Sequence, residues 1–187
     1  MAPTLTPPFD RVRDHWRGGA TPAVTLLMYG DFQCPYTRAA QRRLGPLQER
    51  FGDSLRVAFR HFPLTEIHPR ALAAAIFAEA AAEQGRFWEL YDVLFANQEA
   101  LEPDDLLGYA RALGVDFARA DEEAILGRIQ ADVESGLTSG VRGTPTIFLD
   151  GAELDGSHDR EALRAALEAA GAVPRDGPGD AGSDAGR

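Results

Sequence analysis

A strand–helix–strand pattern near the N-terminus constrains the fold of this chain more than any other feature. The apolar run from Ala23 to Gly30 predicts a strand that is buried on both faces. A helical pattern runs from Pro35 to a stop at Gly52, because proline suits the first turn of a helix and glycine ends one. Residues 54–62, "SLRVAFRHF", alternate apolar and polar side chains and predict a second strand. The three elements form a βαβ unit, which builds a sheet with helices on its faces.

The second half of the sequence supplies a hairpin and a closing helix. A strand predicted from Thr146 to Leu149 is followed by Asp150-Gly151, a strong signal for a two-residue turn, and by a return strand over residues 152–155. The stretch "HDREALRAALEAAG" predicts an amphipathic helix. About four further helices are predicted over residues 69–138. The two halves therefore predict an α/β domain with one four-stranded sheet.

The charge and the apolar pattern of the chain argue against two classes of partner. The chain has 187 residues, a net charge of −10 at pH 7 and a pI near 4.8. Nucleic acids and anionic membranes both attract basic surfaces, so neither is expected as a partner. No apolar run reaches the roughly 18 residues that a membrane-spanning helix needs. The N-terminal stretch lacks the basic start and apolar middle of a signal peptide, so a cytoplasmic location is expected.

The position of Cys34 is the strongest chemical signal in the chain. It is the only cysteine, which excludes a disulfide or a cluster of thiolate metal ligands within one chain. It lies between the first predicted strand and the helix that begins at Pro35. The free N–H groups and the positive dipole end of a helix N-terminus favour thiolate over thiol. We therefore expect an exposed, reactive sulfur at this position.

Two motifs more than 100 residues apart point to a family. The first is "YGDFQCPY", which contains Cys34, and the second is "GVRGTPTIFLDG", which contains Thr144 and Pro145. In this order, around a block of helices, they resemble the DsbA-like branch of the thioredoxin superfamily over about residues 21–170. The resemblance implies an α/β, thioredoxin-like fold with an inserted α-helical domain.

The resemblance also implies a division of the chain. Residues 21–66 and 141–170 would form the two halves of the thioredoxin-like domain, and residues 67–140 would form the inserted helical domain. Residues 1–20 are predicted to be an irregular lead-in. Residues 171–187 contain almost no apolar side chains and are predicted to be a disordered tail.

The motif around the cysteine departs from the family pattern at two positions. The usual C-x-x-C is replaced by "CPYT", with Pro35, Tyr36 and Thr37 after Cys34. A glutamate that the family often carries six residues before the first cysteine is replaced by Met28. The two losses fit together, because a buried acid that no longer takes a proton from a second thiol costs stability. The resemblance implies a catalytic Cys34. From its place at the helix start we expect the three following residues to stabilise the thiolate, Thr37, one helical turn on, by a hydroxyl that could donate a hydrogen bond to the sulfur.

The second motif is expected to bind substrate. The family implies a cis peptide bond before Pro145, which costs only about 0.5–1 kcal/mol at an X–Pro bond. In the resemblance this loop packs beside the thiol, so that the backbone of Thr144 pairs with an extended substrate as if adding a strand. Arg142, just before this loop, is predicted either to hold a substrate carboxylate or to be an ordinary surface arginine.

One thiol restricts the chemistry to a monothiol mechanism. A lone thiolate can attack a disulfide and form a mixed disulfide, but it cannot release itself by internal attack. A low-molecular-weight thiol such as glutathione is therefore expected as co-substrate, with no bound cofactor and no metal. The expected partners are protein or small-molecule disulfides and extended peptide segments.

Two other functions stay open from the sequence. One is a redox-inactive, DsbA-like module that binds a peptide or a protein in the inherited groove. The other is a glutathione transferase or isomerase, since the kappa class of glutathione transferases is similar in architecture. A shared fold is weak support for a shared activity, so the lead hypothesis is a thiol–disulfide oxidoreductase.

The other polar residues are predicted to be structural or solvated. Asp31 is expected to be a solvated turn residue. His61 and His68 do not have the spacing of metal ligands, and His15 and His158 are expected in loops. The acidic side chains between Glu79 and Asp105 are predicted to lie on solvated helix faces. The candidates for the cap of the last helix are Asp159 and Ser157.

Overall fold

The structure is a computed structural model that describes residues 3–155 and 159–175. Its strands are β1 (His15–Gly18), β2 (Val24–Gly30), β3 (Leu55–His61), β4 (Thr146–Leu149) and β5 (Ala152–Glu153). Its helices are α1 (Pro35–Phe51), α2 (Ala71–Ala82), α3 (Phe87–Ala96), α4 (Pro103–Ala112), α5 (Glu122–Thr138) and α6 (Arg160–Ala169). Two short 3₁₀ helices lie at Gly52–Ser54 and Phe117–Arg119. The elements after residue 20 follow the predicted order.

The strands form one sheet in the order β1-β3-β2-β4-β5. Strands β2 and β3 are parallel, as the βαβ unit requires, and the other neighbours are antiparallel. The prediction of four strands is wrong, because β1 adds a fifth strand at the edge of β3. The predicted turn at Asp150-Gly151 joins β4 to β5, and both residues have the positive φ values, 46° and 87°, that a tight hairpin turn needs.

One face of the sheet carries the larger core. Alternate residues of β2 and β3, among them Met28 and Phe59, pack with apolar side chains of α1, of α6 and of the helices between β3 and β4. Met28 is fully buried, in agreement with the expectation that methionine fills the space of a lost acid. This face therefore joins helices α2–α4 to the sheet.

The opposite face is covered by α5 and by the N-terminal segment. Leu5 packs there with Tyr29 and Phe148. Arg60 is fully buried under this segment, where its guanidinium forms two hydrogen bonds of 2.8 and 2.9 Å with Asp14. The guanidinium also donates to the carbonyl oxygens of residues 7 and 8. The prediction of an irregular lead-in is therefore wrong for His15–Gly18, which form β1. The other described residues up to 20 are irregular apart from a single bridge at Thr4, and the buried cation holds them in place.

Both ends of the last helix are defined. Asp159 is the N-cap of α6 and accepts a hydrogen bond from the backbone N–H of Ala162 at 2.8 Å. After α6, Ala172 is buried, and the N–H of Arg175 donates to the carbonyl of Arg50 at 2.7 Å. The predicted disorder is thus wrong for residues 171–175, while residues 176–187, Ser157 and His158 lie outside the described residues.

Within the described ranges, no helix combines the length and the apolar character that crossing a membrane requires.

Candidate active site

Cys34 is the N-cap residue of α1, directly after β2 and its short turn. Its backbone is extended, with φ −72° and ψ 120°, and Pro35 occupies the first helical position. The thiol donates a hydrogen bond of 3.2 Å to the carbonyl oxygen of Thr144. Cys34 is only 2% exposed, so the prediction of an exposed sulfur is wrong. The cause is the loop at Thr144, which lies against the thiol.

The structure brings the two sequence motifs together across 110 residues. The bond between Thr144 and Pro145 is cis, and the carbonyl of Thr144 points to the sulfur. The hydroxyl oxygen of Thr144 is buried and has no hydrogen-bond partner among the described residues. A buried hydroxyl without a partner costs free energy. The loop beside the thiol therefore offers a free polar group as well as backbone.

Thr37 occupies the place where the family carries its second cysteine, one helical turn after Cys34. Its side chain is fully buried, and its hydroxyl oxygen accepts a long hydrogen bond of 3.5 Å from the N–H of Asp31. The structure shows no hydrogen bond between Thr37 and the sulfur of Cys34. The expectation of a hydroxyl donor to the sulfur is therefore wrong, because the side chain is turned toward the backbone before the cysteine.

The two residues between Cys34 and Thr37 face solvent. Pro35 is exposed, and Tyr36 is 74% exposed. Pro35 starts the helix and so directs the free N–H groups of its first turn. Tyr36, two residues after Cys34, exposes its aromatic ring to solvent. The predicted stabilisation of the thiolate by these residues stays a prediction.

Asp31 organises the turn before the cysteine. Its carboxylate is buried and accepts hydrogen bonds from the N–H of Gln33 at 2.7 Å, from the N–H of Leu64 at 2.9 Å and from Nδ1 of His68 at 2.7 Å. The prediction of a solvated aspartate is wrong, because these donors compensate the cost of burial. Asp31 thereby ties the cysteine turn to the segment that follows β3.

Gln98, in the turn after α3, is a further support that the sequence did not indicate. Its buried side-chain amide donates to the carbonyl of Phe32 at 2.7 Å and to the carbonyl of Cys34 at 2.9 Å. A glutamine between two helices gives no local signal of such a role, since its partners lie more than 60 residues away. The helical block is thus hydrogen-bonded directly to the backbone of the cysteine.

An open groove of about 490 Å³ adjoins the loop that contacts the sulfur. It is lined by residues of the second motif and of the N-terminal segment, among them Arg142, Gly143, Thr144, Pro145 and Glu153. Arg142 is exposed, so its guanidinium is accessible to a bound molecule. The structure therefore brings Cys34, Thr144 and Pro145 together, and it places Arg142 on the groove beside them.

Solved structures with this fold include the thiol–disulfide exchange protein alpha-DsbA2 from Wolbachia pipientis, which is 17% identical, with a TM-score of 0.71, over 85% of this chain and 88% of that one. Oxidised BdbD from Bacillus subtilis is 17% identical, with a TM-score of 0.73, over 90% of this chain and 98% of that one. The catalytic domain of Proteus mirabilis ScsC is 18% identical, with a TM-score of 0.76, over 87% of this chain and 91% of that one. A thioredoxin-like oxidoreductase from Silicibacter pomeroyi is 24% identical, with a TM-score of 0.74, over 86% of this chain and 93% of that one. The architecture is therefore the DsbA-like one, a thioredoxin-like fold with an inserted helical block.

The similar curated proteins are much longer than this chain. The Na(+)/H(+) antiporter NhaA 1 of Salinispora arenicola is 45% identical over 181 residues, which are 94% of this chain and 28% of that protein. The Na(+)/H(+) antiporter NhaA of Herminiimonas arsenicoxydans is 42% identical over 169 residues, 88% of this chain and 27% of that protein. The chain spans just over a quarter of the length of these relatives. The family model described as Thioredoxin matches residues 10–169, which include both motifs and the helices between them, and the chain therefore belongs to the thioredoxin family.

Proposed function

We propose that the chain catalyses thiol–disulfide exchange through Cys34 by a monothiol mechanism. The observation that carries the proposal is the position of the sulfur, at the N-cap of α1 and 3.2 Å from the carbonyl of Thr144. The free N–H groups of the first helical turn stabilise negative charge near this position. The absence of another cysteine from the sequence limits the exchange to one protein thiol.

The reaction takes place in two exchanges. Cys34 loses its proton to solvent, the hydrogen bond to Thr144 is released, and the thiolate attacks one sulfur of a substrate disulfide. The substrate S–S bond breaks, a protein–substrate disulfide forms, and the other substrate sulfur leaves as a thiolate that takes up a proton. A small thiol such as glutathione then attacks the substrate-derived sulfur and releases the Cys34 thiolate. One disulfide and one thiol are consumed, and one of each is produced.

The groove at Arg142 supports the proposed substrate class. A segment of extended peptide placed there would lie beside the backbone of Thr144, whose carbonyl oxygen is 3.2 Å from the reacting sulfur. Backbone pairing with an extended chain gives affinity without a fixed sequence. The guanidinium of Arg142 adds attraction for a carboxylate, which both glutathione and a peptide C-terminus carry. Disulfides of peptides or of glutathione are therefore the proposed substrates.

The similarity to the antiporters indicates that a thioredoxin-like domain of this kind also occurs as one part of longer proteins. The regions similar to the antiporters cover 88–94% of this chain. The thioredoxin family model matches residues 10–169, which are most of the same chain. We infer that the shared region is a thioredoxin-like domain in those proteins. Ion transport is not proposed for this chain, whose matched residues are those of the thioredoxin-like fold.

The test is an exchange assay with a glutathionylated peptide. The unchanged protein is expected to release the peptide thiol catalytically only when free glutathione is added, and to release about one equivalent per chain without it. Mass spectrometry should detect the protein–glutathione disulfide at Cys34. Cys34→Ser, which keeps the size and the N-cap position, should show the uncatalysed rate. Equal rates for Cys34→Ser and the unchanged protein would contradict the proposal.

A redox-inactive binding module is the second candidate, and one observation favours it. Cys34 is 2% exposed and its thiol already donates a hydrogen bond to Thr144. A large substrate therefore cannot reach the sulfur easily, either to be attacked by it or to attack it. Such a module would bind peptides with equal affinity in the unchanged protein and in Cys34→Ala, without a mixed disulfide. The glutathione transferase alternative is tested on the same purified protein by measuring whether it conjugates glutathione to a model electrophile. Such conjugation would favour the transferase.

A further inference from the structure

Three side chains of metal-ligand type converge outside the set of residues used in the proposed exchange reaction. His15 comes from β1, His61 from the end of β3 and Glu79 from α2. The Nε2 atom of each histidine lies 2.7 Å from the same carboxylate oxygen of Glu79. The three candidate ligand atoms all lie within 4.8 Å of one another. The sequence did not indicate this cluster, because 46 and 18 positions separate its members along the chain.

Glu79 is a buried carboxylate whose charge is compensated by two histidines. The residue is 5% exposed, and its hydrogen-bond partners among the described residues are the two imidazoles. Burial alone would raise the pKa of Glu79, but the hydrogen bonds from His15 and His61 outweigh it and hold that pKa well below its ordinary value. The prediction of a solvated helix face is therefore wrong for this residue. A buried carboxylate between two histidines has the charge and the donors that a divalent cation needs.

Aromatic rings fix the orientation of both histidines. The ring of His15 stacks on Phe87, with centroids 3.7 Å apart and planes inclined by 14°. The ring of His61 stands at 87° to Phe59, with centroids 5.4 Å apart. These contacts keep the Nε2 atoms directed toward Glu79. The prediction that His15 is a loop residue is wrong, since it lies in β1 and packs against the helical block.

The cluster is buried on one side and accessible on the other. His61 has 1% of its side chain exposed, whereas His15 has 18%. An open groove of about 240 Å³ reaches His15 between β1 and the helical block, where it is lined by Trp16, Phe87 and Trp88 among others. The groove opens His15 to solvent, so an ion would approach the cluster from this side.

We propose that His15, His61 and Glu79 form a binding site for a divalent transition-metal ion of the Zn²⁺ type, with solvent as the fourth ligand. Two histidines and one carboxylate with an open position are a ligand set that zinc favours. Neutral imidazoles with the proton on Nδ1 would present their Nε2 lone pairs to the ion. Zinc–ligand distances of about 2.0–2.2 Å require the ligand atoms to move apart from their present 2.7 Å contacts by about half an ångström.

The proposed metal site is separate from the thiol. The ring centroid of Phe32 is 5.8 Å from that of His61, and Phe32 precedes Cys34 by two residues. Cys34 is not among the ligand atoms that converge at the cluster. The thiol donates its hydrogen bond to the carbonyl of Thr144, which is not part of the cluster. The proposal therefore predicts a metal ion that neither uses nor blocks Cys34, and this separation can be measured.

The experiment titrates the full, untagged chain with Zn²⁺ in a calorimeter and with Co²⁺ in a spectrophotometer. One ion per chain is expected for the unchanged protein, for Cys34→Ser and for His68→Ala, which removes a histidine outside the cluster. Glu79→Gln and His15→Asn should each weaken Zn²⁺ binding by about 100-fold or more, since loss of an outer-shell partner alone costs roughly 10–100-fold. Circular dichroism confirms that each variant is folded.

The Co²⁺ spectrum gives a readout that needs no variant. Ligation by nitrogen and oxygen should give d–d bands without the thiolate-to-metal charge-transfer band that a cysteine ligand adds. The proposal is overturned if the unchanged chain binds no ion, or if Glu79→Gln and His15→Asn bind as it does. It is also overturned if the charge-transfer band is present, or if Cys34→Ser or His68→Ala abolishes binding.

Discussion

At the scale of single residues, Thr37 determines how a mixed disulfide at Cys34 can be resolved. A hydroxyl cannot attack a disulfide, so the release of substrate depends on a thiol from solution. Thr37 is fully buried directly behind the thiol, with its hydroxyl oxygen 3.5 Å from the N–H of Asp31. Its position one turn into α1 is the one that a resolving cysteine would need.

Thr37→Cys is therefore expected to convert the site to a dithiol. The new sulfur would attack the mixed disulfide at Cys34 and form an internal disulfide, so that peptide release no longer requires free glutathione. A thiol titration should find two thiols after reduction and none after mild oxidation. Thr37→Ser is the matched control and should keep the dependence on glutathione. Two free thiols after oxidation of Thr37→Cys would contradict this geometry.

Asp31 is the second single residue on which the site depends. Three donors from two segments converge on its buried carboxylate, and each would be left without its partner if the carboxylate were removed. Buried donors that lose their acceptor cost the desolvation free energy of the group. The turn before Cys34 and the segment after β3 would both be loosened.

Asp31→Ala should lower the free energy of unfolding by about 2–4 kcal/mol, because three partly buried donors lose their acceptor. Urea denaturation measures this change. Asp53→Ala is the control, since the side chain of Asp53 is 94% exposed, and its effect should stay within about 0.5 kcal/mol. Similar midpoints for the two variants would show that Asp31 does not support the turn.

Sequence patterns located the reacting residue better than its surroundings. Cys34 and the Thr144–Pro145 loop were predicted because each stands in a short motif at the junction of two elements. Asp31 and Glu79 were predicted to be solvated, because a lone acid in a sequence has no visible partner. Their partners come from other elements, as His68 does for Asp31 and His15 for Glu79. Such pairings exist only after the chain has folded.

At the scale of elements, β1 was missed because it is short and has no apolar pattern. The strand consists of the four residues "HWRG", which alone resemble a loop. Its pairing depends on β3, where Arg60 directs a buried guanidinium to Asp14, just before β1. Both side chains of this ion pair are fully buried. The cation on β3 thus determines where the N-terminal segment lies.

Asp14→Ala should destabilise the protein by about 3–5 kcal/mol, because removing one partner leaves a buried charge without compensation. Asp92→Ala is the matched control. It breaks the ion pair between Arg17 in β1 and Asp92, whose side chains are 27% and 49% exposed, and should cost at most about 1 kcal/mol. Chemical denaturation of the two variants gives the comparison. An equal loss of stability would mean that the buried pair does not anchor the segment.

At the scale of the whole molecule, the order of strands and helices was predictable and the packing between them was not. The βαβ unit, the helical block and the hairpin each carry local signals, such as Pro35 at a helix start or Asp150-Gly151 at a turn. How the block lies on the sheet depends instead on close contacts between distant residues. Helix α5 shows this, since it covers the sheet face opposite the main core through Val133 and residues near its end.

Gly136 permits the close approach of α5 to the sheet. A Cβ at this position would lie 2.7 Å from a ring carbon of Phe62 and 3.2 Å from one of Tyr29. Both rings belong to the smaller core, and the ring of Tyr29 is held by hydrogen bonds of its hydroxyl to Ser135 and Arg60. An added methyl group therefore meets rings that cannot easily move. In contrast, a Cβ at Gly127 of the same helix would meet nothing within 4 Å.

Gly136→Ala and Gly127→Ala should therefore change stability in opposite directions. Alanine favours a helix over glycine by about 1 kcal/mol, and Gly127→Ala should gain about this amount. At Gly136 the same gain is outweighed by overpacking, which costs about 1–3 kcal/mol, so the free energy of unfolding should fall. Thermal and urea unfolding of both variants measure the difference. A stabilised Gly136→Ala would show that α5 can move away from the sheet at little cost, and that the helical block is less tightly fixed to the thioredoxin-like half than its contacts indicate.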